Sequence, residues 1–148
     1  MYSRAMSSDV DTSECEACLC VAARRASRAI TRRFDREYRQ FGIRATQFTV
    51  LSVLNRGGPQ TIGALAGAIG VERTTLTRNL ARLKAQGWVR ITGSGDDARA
   101  RIVSVTRTGR AKLAVALPAW RKAQSAAIAA IGDSGAVALR DLSDRSIG

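Results

Sequence analysis

The chain has 148 residues, enough for one domain with a real core, and its 45% apolar content excludes disorder as the general state. A net charge of +12 and a pI near 11.3 point to a polyanionic partner, of which nucleic acid is the commonest. No apolar run approaches a membrane span and the first ten residues lack a secretory hydrophobic core, so a cytoplasmic protein is expected.

The charge is unevenly spread. Residues 1–20 hold one base and four acids, residues 21–45 eight and two, and residues 71–110 nine and three. Residues 1–12 are polar and aperiodic, which predicts a loose tail. Ser13 with Glu16 makes a possible capping box. It would open a long helix to about Gln40, with Leu19, Ala23, Ala26, Ile30, Phe34 and Phe41 on one stripe. Its other side carries Arg24, Arg25, Arg28, Arg32, Arg36 and Arg39, either a solvated basic face or a supplementary contact for DNA flanks. Gly42 breaks this helix. Thr46 then caps another, with Phe48, Val50, Leu51, Val53 and Leu54 apolar, and Arg56-Gly57-Gly58-Pro59 stops it.

Residues 61–107 are the centre of the pattern. Thr61 supplies an N-cap hydroxyl, Ile62, Leu65, Ala66 and Ile69 repeat at helical spacing, and Gly70 can close the end. In the next helix Leu76, Leu80 and Leu83 form one stripe, while Thr74, Thr75, Arg78 and Arg82 project on the opposite side. The sole acid, Glu72, falls in the first turn, where the helix dipole favours it. Hydroxyls and guanidinium forks suit a major-groove reader, because they reach phosphates and the guanine edge. Gly87 ends the helix. W-V-R-I-T and R-I-V-S-V-T then alternate like paired strands around G-S-G-D-D-A-R-A, giving a basic hairpin with Arg99 and Arg101. The reading is a mainly α fold with a small β-hairpin wing, a winged helix-turn-helix.

After the hairpin, Thr106 can cap a helix to about Ile131, which Pro118 should kink. Gly132-Asp133-Ser134-Gly135 interrupts it, and a short last helix covers Val137, Leu139 and Leu142. The terminal helices are too long and apolar for one winged module to cover, so a second copy of the chain is the economical partner. The expected division is a tail at 1–12, an N-terminal dimerisation and sensing segment at 13–45, a DNA-binding module at 46–107, and C-terminal dimerisation helices at 108–148.

Several motifs together resemble the MarR family of bacterial transcriptional regulators: I-R-A-T-Q-F at 43–48, G-G-P-Q-T-I-G-A-L-A, E-R-T-T-L-T-R-N-L, the D-A-R of Asp97 to Arg99, and L-P-A-W-R-K-A-Q. The resemblance covers about residues 15–145. It implies a homodimer, built by the terminal helices, on a pseudo-palindromic double-stranded DNA operator, more often as a repressor than an activator. Two recognition helices must then lie about 34 Å apart to enter successive major grooves. A ligand that changes that separation releases DNA. Thr74, Thr75 and Arg78 are the base-proximal candidates, while Arg73, Thr77, Asn79 and Arg82 flank them and hold phosphates. Thr61 offers a backbone N–H to phosphate. Arg99 and Arg101 belong to the wing, with Asp97 orienting Arg99.

All the cysteines, Cys15, Cys18 and Cys20, stand in one C-x-x-C-x-C run, and histidine is absent. This is no disulfide framework for a cytoplasmic chain. No cofactor is obligatory. Thiolates favour soft ions such as Cu(I), Zn or arsenite, but an unbroken helix cannot turn all three toward one ion. Oxidation to a disulfide is a second functional reading, and packing at a helix start a third. The family resemblance also allows a small aromatic effector, for which Arg44 and Arg56 are possible carboxylate partners. An enzyme is not expected, since the sequence has no histidine, paired-carboxylate motif, G-x-S-x-G or phosphate-cradling glycine loop. A non-specific architectural DNA binder is the competing class.

Overall fold

Helices dominate the described residues, 10–93 and 101–145, of the computed structural model. The first long helix, α1, spans Leu19–Tyr38, and α2 spans Ala45–Gly57. The short strand β1 (Gln60–Thr61) leads into α3 (Ile62–Ile69), which is followed by α4 (Arg73–Ala85). Strands β2 (Val89–Thr92) and β3 (Ile102–Val105) precede α5 (Arg107–Asp144).

The N-terminal segment departs from the expected continuous helix. Ser13–Ala17 form a 3-10 turn with no side-chain cap from Thr12, and the Ser13 N–H donates to Asp11 Oδ1 at 3.0 Å. No Ser13–Glu16 capping box forms. The hydrogen bonds from Ser13 hold the Asp11 carboxyl below its ordinary pKa. Cys18 adopts extended torsions (φ −61°, ψ 115°) and becomes the N-cap of α1, so the helix begins at Leu19. At its far end Arg39–Phe41 tighten into a 3-10 turn, and Gly42 closes it at φ 64°.

The N-cap of α2 is Arg44, not Thr46. The Ala45 N–H donates to Asp35 Oδ1 at 2.7 Å, and the Arg44 N–H donates to Gln47 Oε1 at 3.0 Å. An acid from α1 therefore satisfies a helix start that local sequence assigned to a threonine. Both threonine caps expected further along are present. Thr61 Oγ1 accepts the Ala64 N–H at 3.1 Å, and Thr106 Oγ1 accepts the Gly109 N–H at 3.0 Å.

The sheet has three antiparallel strands in the order β1-β3-β2. Val89 faces Val105 and Ile91 faces Val103, while Gln60 pairs with Val103 from the other side. Strand β1 is the addition to the expected two-stranded hairpin; two residues after a proline are too few to show an alternating pattern. The core gathers Leu51 and Leu54 of α2, Leu65 of α3, Leu76, Leu80 and Leu83 of α4, and Val103 of β3. From α1 the deepest contribution is Tyr38, 1% exposed, with its ring stacked 4.9 Å from Phe48. Burial, reinforced by the Asp35 charge, raises the Tyr38 phenol above its ordinary pKa.

Within α5, Pro118 sits in helical backbone, and the break falls at Gly132. The carbonyl that proline leaves free belongs to Ala114, an exposed position where water can take it. Gly132, at φ 76° and ψ 164°, occupies a region open essentially only to glycine. Helix α1 packs along α5, with Lys122 Nζ 2.9 Å from Glu37 Oε2. Among the described residues no helix is long and apolar enough to cross a membrane.

Candidate nucleic-acid interface

Helices α3 and α4 meet across a tight turn in which Gly70 is left-handed (φ 77°), and the N–H groups of Gly70 and Val71 both return to the Ala66 carbonyl. Ile62, Leu65 and Ala66 of α3 and Leu76, Leu80 and Leu83 of α4 are buried. Burial of those three leucines fixes which way the rest of α4 must point. Arg73, Thr74, Thr75, Thr77, Arg78 and Arg82 are all exposed. Glu72, expected in the first turn, is instead the N-cap residue and makes no side-chain cap bond.

The polar residues of α4 divide by their partners. Thr77 Oγ1 donates to the Arg73 carbonyl at 2.8 Å, and Asn79, half-buried, donates to the Thr46 carbonyl of α2 at 3.3 Å. These two groups brace the helix. The Arg73 guanidinium lies over Gly63 of α3, where a Cβ would stand 2.7 Å from Nη2. Thr74, Thr75, Arg78 and Arg82 are exposed, and among the described residues their side chains make no hydrogen bond or ion pair.

Beside them opens a groove of about 450 Å³ in which Thr31 of α1 and Thr46 and Thr49 of α2 join Thr75, Arg78 and Arg82. The sequence reading did not assign those three threonines to the site, because only tertiary packing brings them to α4. Thr61 is half-buried at the start of α3, its hydroxyl committed to the cap.

In the wing, Arg101 is exposed immediately before β3, and Arg90 is exposed on β2 between the inward-facing Val89 and Ile91. Alternation along W-V-R-I-T could have singled out Arg90 as an outward base. Asp97 and Arg99 lie outside the described residues.

The cysteines do not share a helix face. Cys15 lies in the 3-10 turn, Cys18 at the N-cap and Cys20 in the first turn of α1. Cys15 and Cys20 are exposed and Cys18 is half-buried; all are free thiols. The Cys18 N–H donates to the Cys15 carbonyl at 3.1 Å. Among the described residues no group of three or more His, Cys, Asp or Glu is placed to hold a metal ion.

A separate cavity of about 460 Å³ lies between α2 and α5, walled by Phe48, Leu113, Leu117 and Trp120 and edged by Arg56 and Arg110. Arg44 caps α2 and is not part of that wall.

A buried-leucine helix pair with a basic outer face, followed by a three-stranded sheet, defines a winged helix-turn-helix protein. Known proteins narrow this. Residues 41–100 match the model of the MarR family. The chain is 42% identical to the M. tuberculosis transcriptional regulator MosR, solved in complex with DNA, over 86% of this chain and 92% of that one (TM-score 0.74). A second MosR structure aligns at 38% identity over 88% and 93%, with a TM-score of 0.75. A mutant MarR from E. coli complexed with operator DNA shares the fold at 21% identity, covering 94% of this chain and all of that one (TM-score 0.75). The uncharacterized HTH-type transcriptional regulator YwoH of Bacillus subtilis is 31% identical over 87 residues, a match spanning 59% of this chain and 63% of the relative's length. The chain belongs to the MarR family of transcriptional regulators, and so is a regulator rather than an enzyme.

Proposed function

We propose that the chain acts in the cytoplasm as a homodimeric repressor that reads a pseudo-palindromic operator and is released by oxidation at its N-terminal cysteines. The observation that carries the DNA-reading part is the outer face of α4, where Thr74, Thr75, Arg78 and Arg82 are exposed with their donors free among the described residues. Thr74, Thr75 and Arg78 face bases; Arg73 and Arg82 take phosphates, with the N-terminal end of α3 at Thr61 and the wing at Arg101 holding the backbone. Asn79 and Thr77 serve the same surface by holding α4 in place.

The homodimer is supported by what the terminal helices leave uncovered. Leu19 is 83% exposed, and Val21, Ile131, Val137, Leu139 and Leu142 are exposed too. A groove of about 600 Å³ between α1 and α5 is lined by Arg32, Arg33, Arg36 and Arg39 over Ile30, Ala127 and Ile131. Beyond Gly132, α5 offers Val137, Leu139 and Leu142, which match the apolar floor of that groove, and its Asp133, Asp141 and Asp144, alongside Arg140 and Arg145, can pair with the groove's arginines and Asp35. Exchange of these segments between two copies is isologous, as a two-fold dimer requires.

For the signal, the backbone bond from Cys18 to Cys15 closes a turn of the kind that keeps Cα atoms within about 7 Å, the span a disulfide bridges. Two thiols then give one disulfide, two protons and two electrons, the electrons reducing an oxidant such as peroxide to water. Arsenite, Cu(I) or Zn would need the thiols gathered across two copies or a rearranged segment. A second reading, a small aromatic anion, is favoured by the aromatic cavity edged by Arg56 and Arg110.

The test is operator binding by the purified chain, with the operator selected from random duplexes. Titration with peroxide, arsenite, Cu(I) and Zn(II) is compared between wild type and a variant with Cys15, Cys18 and Cys20 changed to serine. Release by peroxide in the wild type alone supports the redox reading, and release by a metal alone replaces it. Release of both proteins alike, or of neither, moves the signal to the cavity. Arg78→Ala should lose about 1–3 kcal/mol of specific binding and relax base preference, whereas Arg101→Ala should weaken every duplex alike. Equal losses from both on operator and random DNA would overturn that assignment, and no preferred duplex at all would leave an architectural binder.

A further inference from the structure

The start of α5 is fastened to the end of α4 with unusual closeness. The Thr106 N–H donates to the Trp88 carbonyl at 3.0 Å, and its hydroxyl donates to the Gly87 carbonyl at 2.6 Å. One turn on, Gly109 is buried against the Trp88 carbonyl so tightly that any Cβ there would overlap it. Lys112 follows on the same side. Its Nζ donates to the Phe41 carbonyl at 2.7 Å and stands 5.3 Å from the centroid of the buried Trp88 ring.

Each partner of Lys112 belongs to a different part of the molecule. Phe41 lies in the turn that joins α1 to α2, Trp88 stands three residues beyond the end of α4, and Lys112 itself rides on α5. The backbone contacts of Thr106 and Gly109 hold α5 against the Gly87–Trp88 corner whatever side chain follows. The ammonium adds a third tie, to the connection leaving α1, beside the Lys122–Glu37 pair that joins α5 to α1 itself. Because it is half-buried and charged, its hydrogen bond to a carbonyl and its place over an indole face are worth more than a neutral surface contact.

We infer that Lys112 is a positioning residue that locks the recognition helix to both terminal helices, and so sets the separation of operator half-sites the protein accepts. It reaches DNA through Trp88 and α4, not directly. With the ammonium gone, α4 keeps its core contacts and its Thr74, Thr75 and Arg78 face, but its angle to the terminal helices becomes less defined. Binding to one half-site needs only that face. Binding to two at once needs the angle as well. The inference rests on the homodimer reading above.

The test uses the full chain and three kinds of duplex: the selected operator, versions with its half-sites moved apart by one or two base pairs, and a single half-site. Wild type should bind the selected spacing best. Lys112→Met, which keeps the aliphatic stem, should lose about tenfold on that spacing, the effect of one charge-assisted hydrogen bond, and bind the single half-site as wild type does. Its penalty for altered spacing should therefore shrink, and Lys112→Arg should restore it. An equal loss on operator and half-site would make Lys112 a direct phosphate contact or a stability residue, and overturn the inference. So would a Lys112→Met protein that matches wild type on every duplex. A wild-type chain that sediments as a monomer overturns the homodimer reading instead, and this inference with it.

Discussion

The winged module and the outer ends of the terminal helices solve the burial problem in opposite ways. In the module, Leu51, Leu65 and Leu83 are completely buried, and among the described residues no buried side-chain nitrogen or oxygen lacks a hydrogen-bond partner. At the ends, Leu19 and Val21 lie open on the first turn of α1, and Val137, Leu139 and Leu142 lie open on the part of α5 beyond the break at Gly132. Helix α1 contains both regimes. Its second half drives Phe34 and Tyr38 into the stack with Phe48, while from Leu19 to Ala29 no residue is buried. Amphipathic helix alone does not tell which solution applies; what covers the stripe decides it.

The sharpest way to break this contrast is to cut into each side. Leu80→Ala removes a fully buried side chain of α4 and should cost about 2–5 kcal/mol, seen as a lower unfolding midpoint at every protein concentration. Leu142→Ser removes an exposed one. It should leave the stability of an isolated chain unaltered and weaken self-association by about 1–2 kcal/mol, seen as a larger dissociation constant in sedimentation and a midpoint lowered only at concentrations where the wild type is dimeric. If Leu142→Ser lowered the midpoint as Leu80→Ala does, the ends would belong to the same core as the module.

The same contrast governs what the sequence discloses. The module was legible because its signals are local: leucines at helical spacing in α4, the Thr61 and Thr106 caps, glycines at the turns, and alternation in β2 and β3. What stayed hidden rests on partners distant in the chain. Asp35 caps α2 from ten residues away, Asn79 reaches Thr46 across thirty-three, and β1 exists only because β3 is there to pair with it. The site shows the same division. Periodicity picks out Thr74, Thr75, Arg78 and Arg82 as an outward face, but cannot say that Thr77 and Asn79 are already engaged or that Thr31 and Thr49 join the groove. The break of the N-terminal helix at Cys18 also escaped, since nothing in the local composition demands extended torsions there.

Gly63 offers the finest cut, because stability and binding should move in opposite directions. It is the second residue of α3, in the first turn, where glycine is worse than alanine by less than the roughly 0.5–1 kcal/mol of a helix interior. Gly63→Ala should therefore raise the unfolding midpoint slightly. The added methyl, however, would stand 2.7 Å from Arg73 Nη2 and 3.4 Å from Cζ, so the guanidinium must leave its place over α3. A flexible side chain moves at little cost to the fold, but Arg73 then no longer points where α3 and α4 jointly aimed it. Operator affinity should fall to the level of Arg73→Ala, and the double variant should fall no further, the signature of two changes acting through one group. A Gly63→Ala protein with undiminished operator affinity would mean that Arg73 finds its phosphate without this cradle. Additive losses in the double variant would mean instead that Gly63 matters for a separate reason, such as close approach of the α3 backbone itself to DNA.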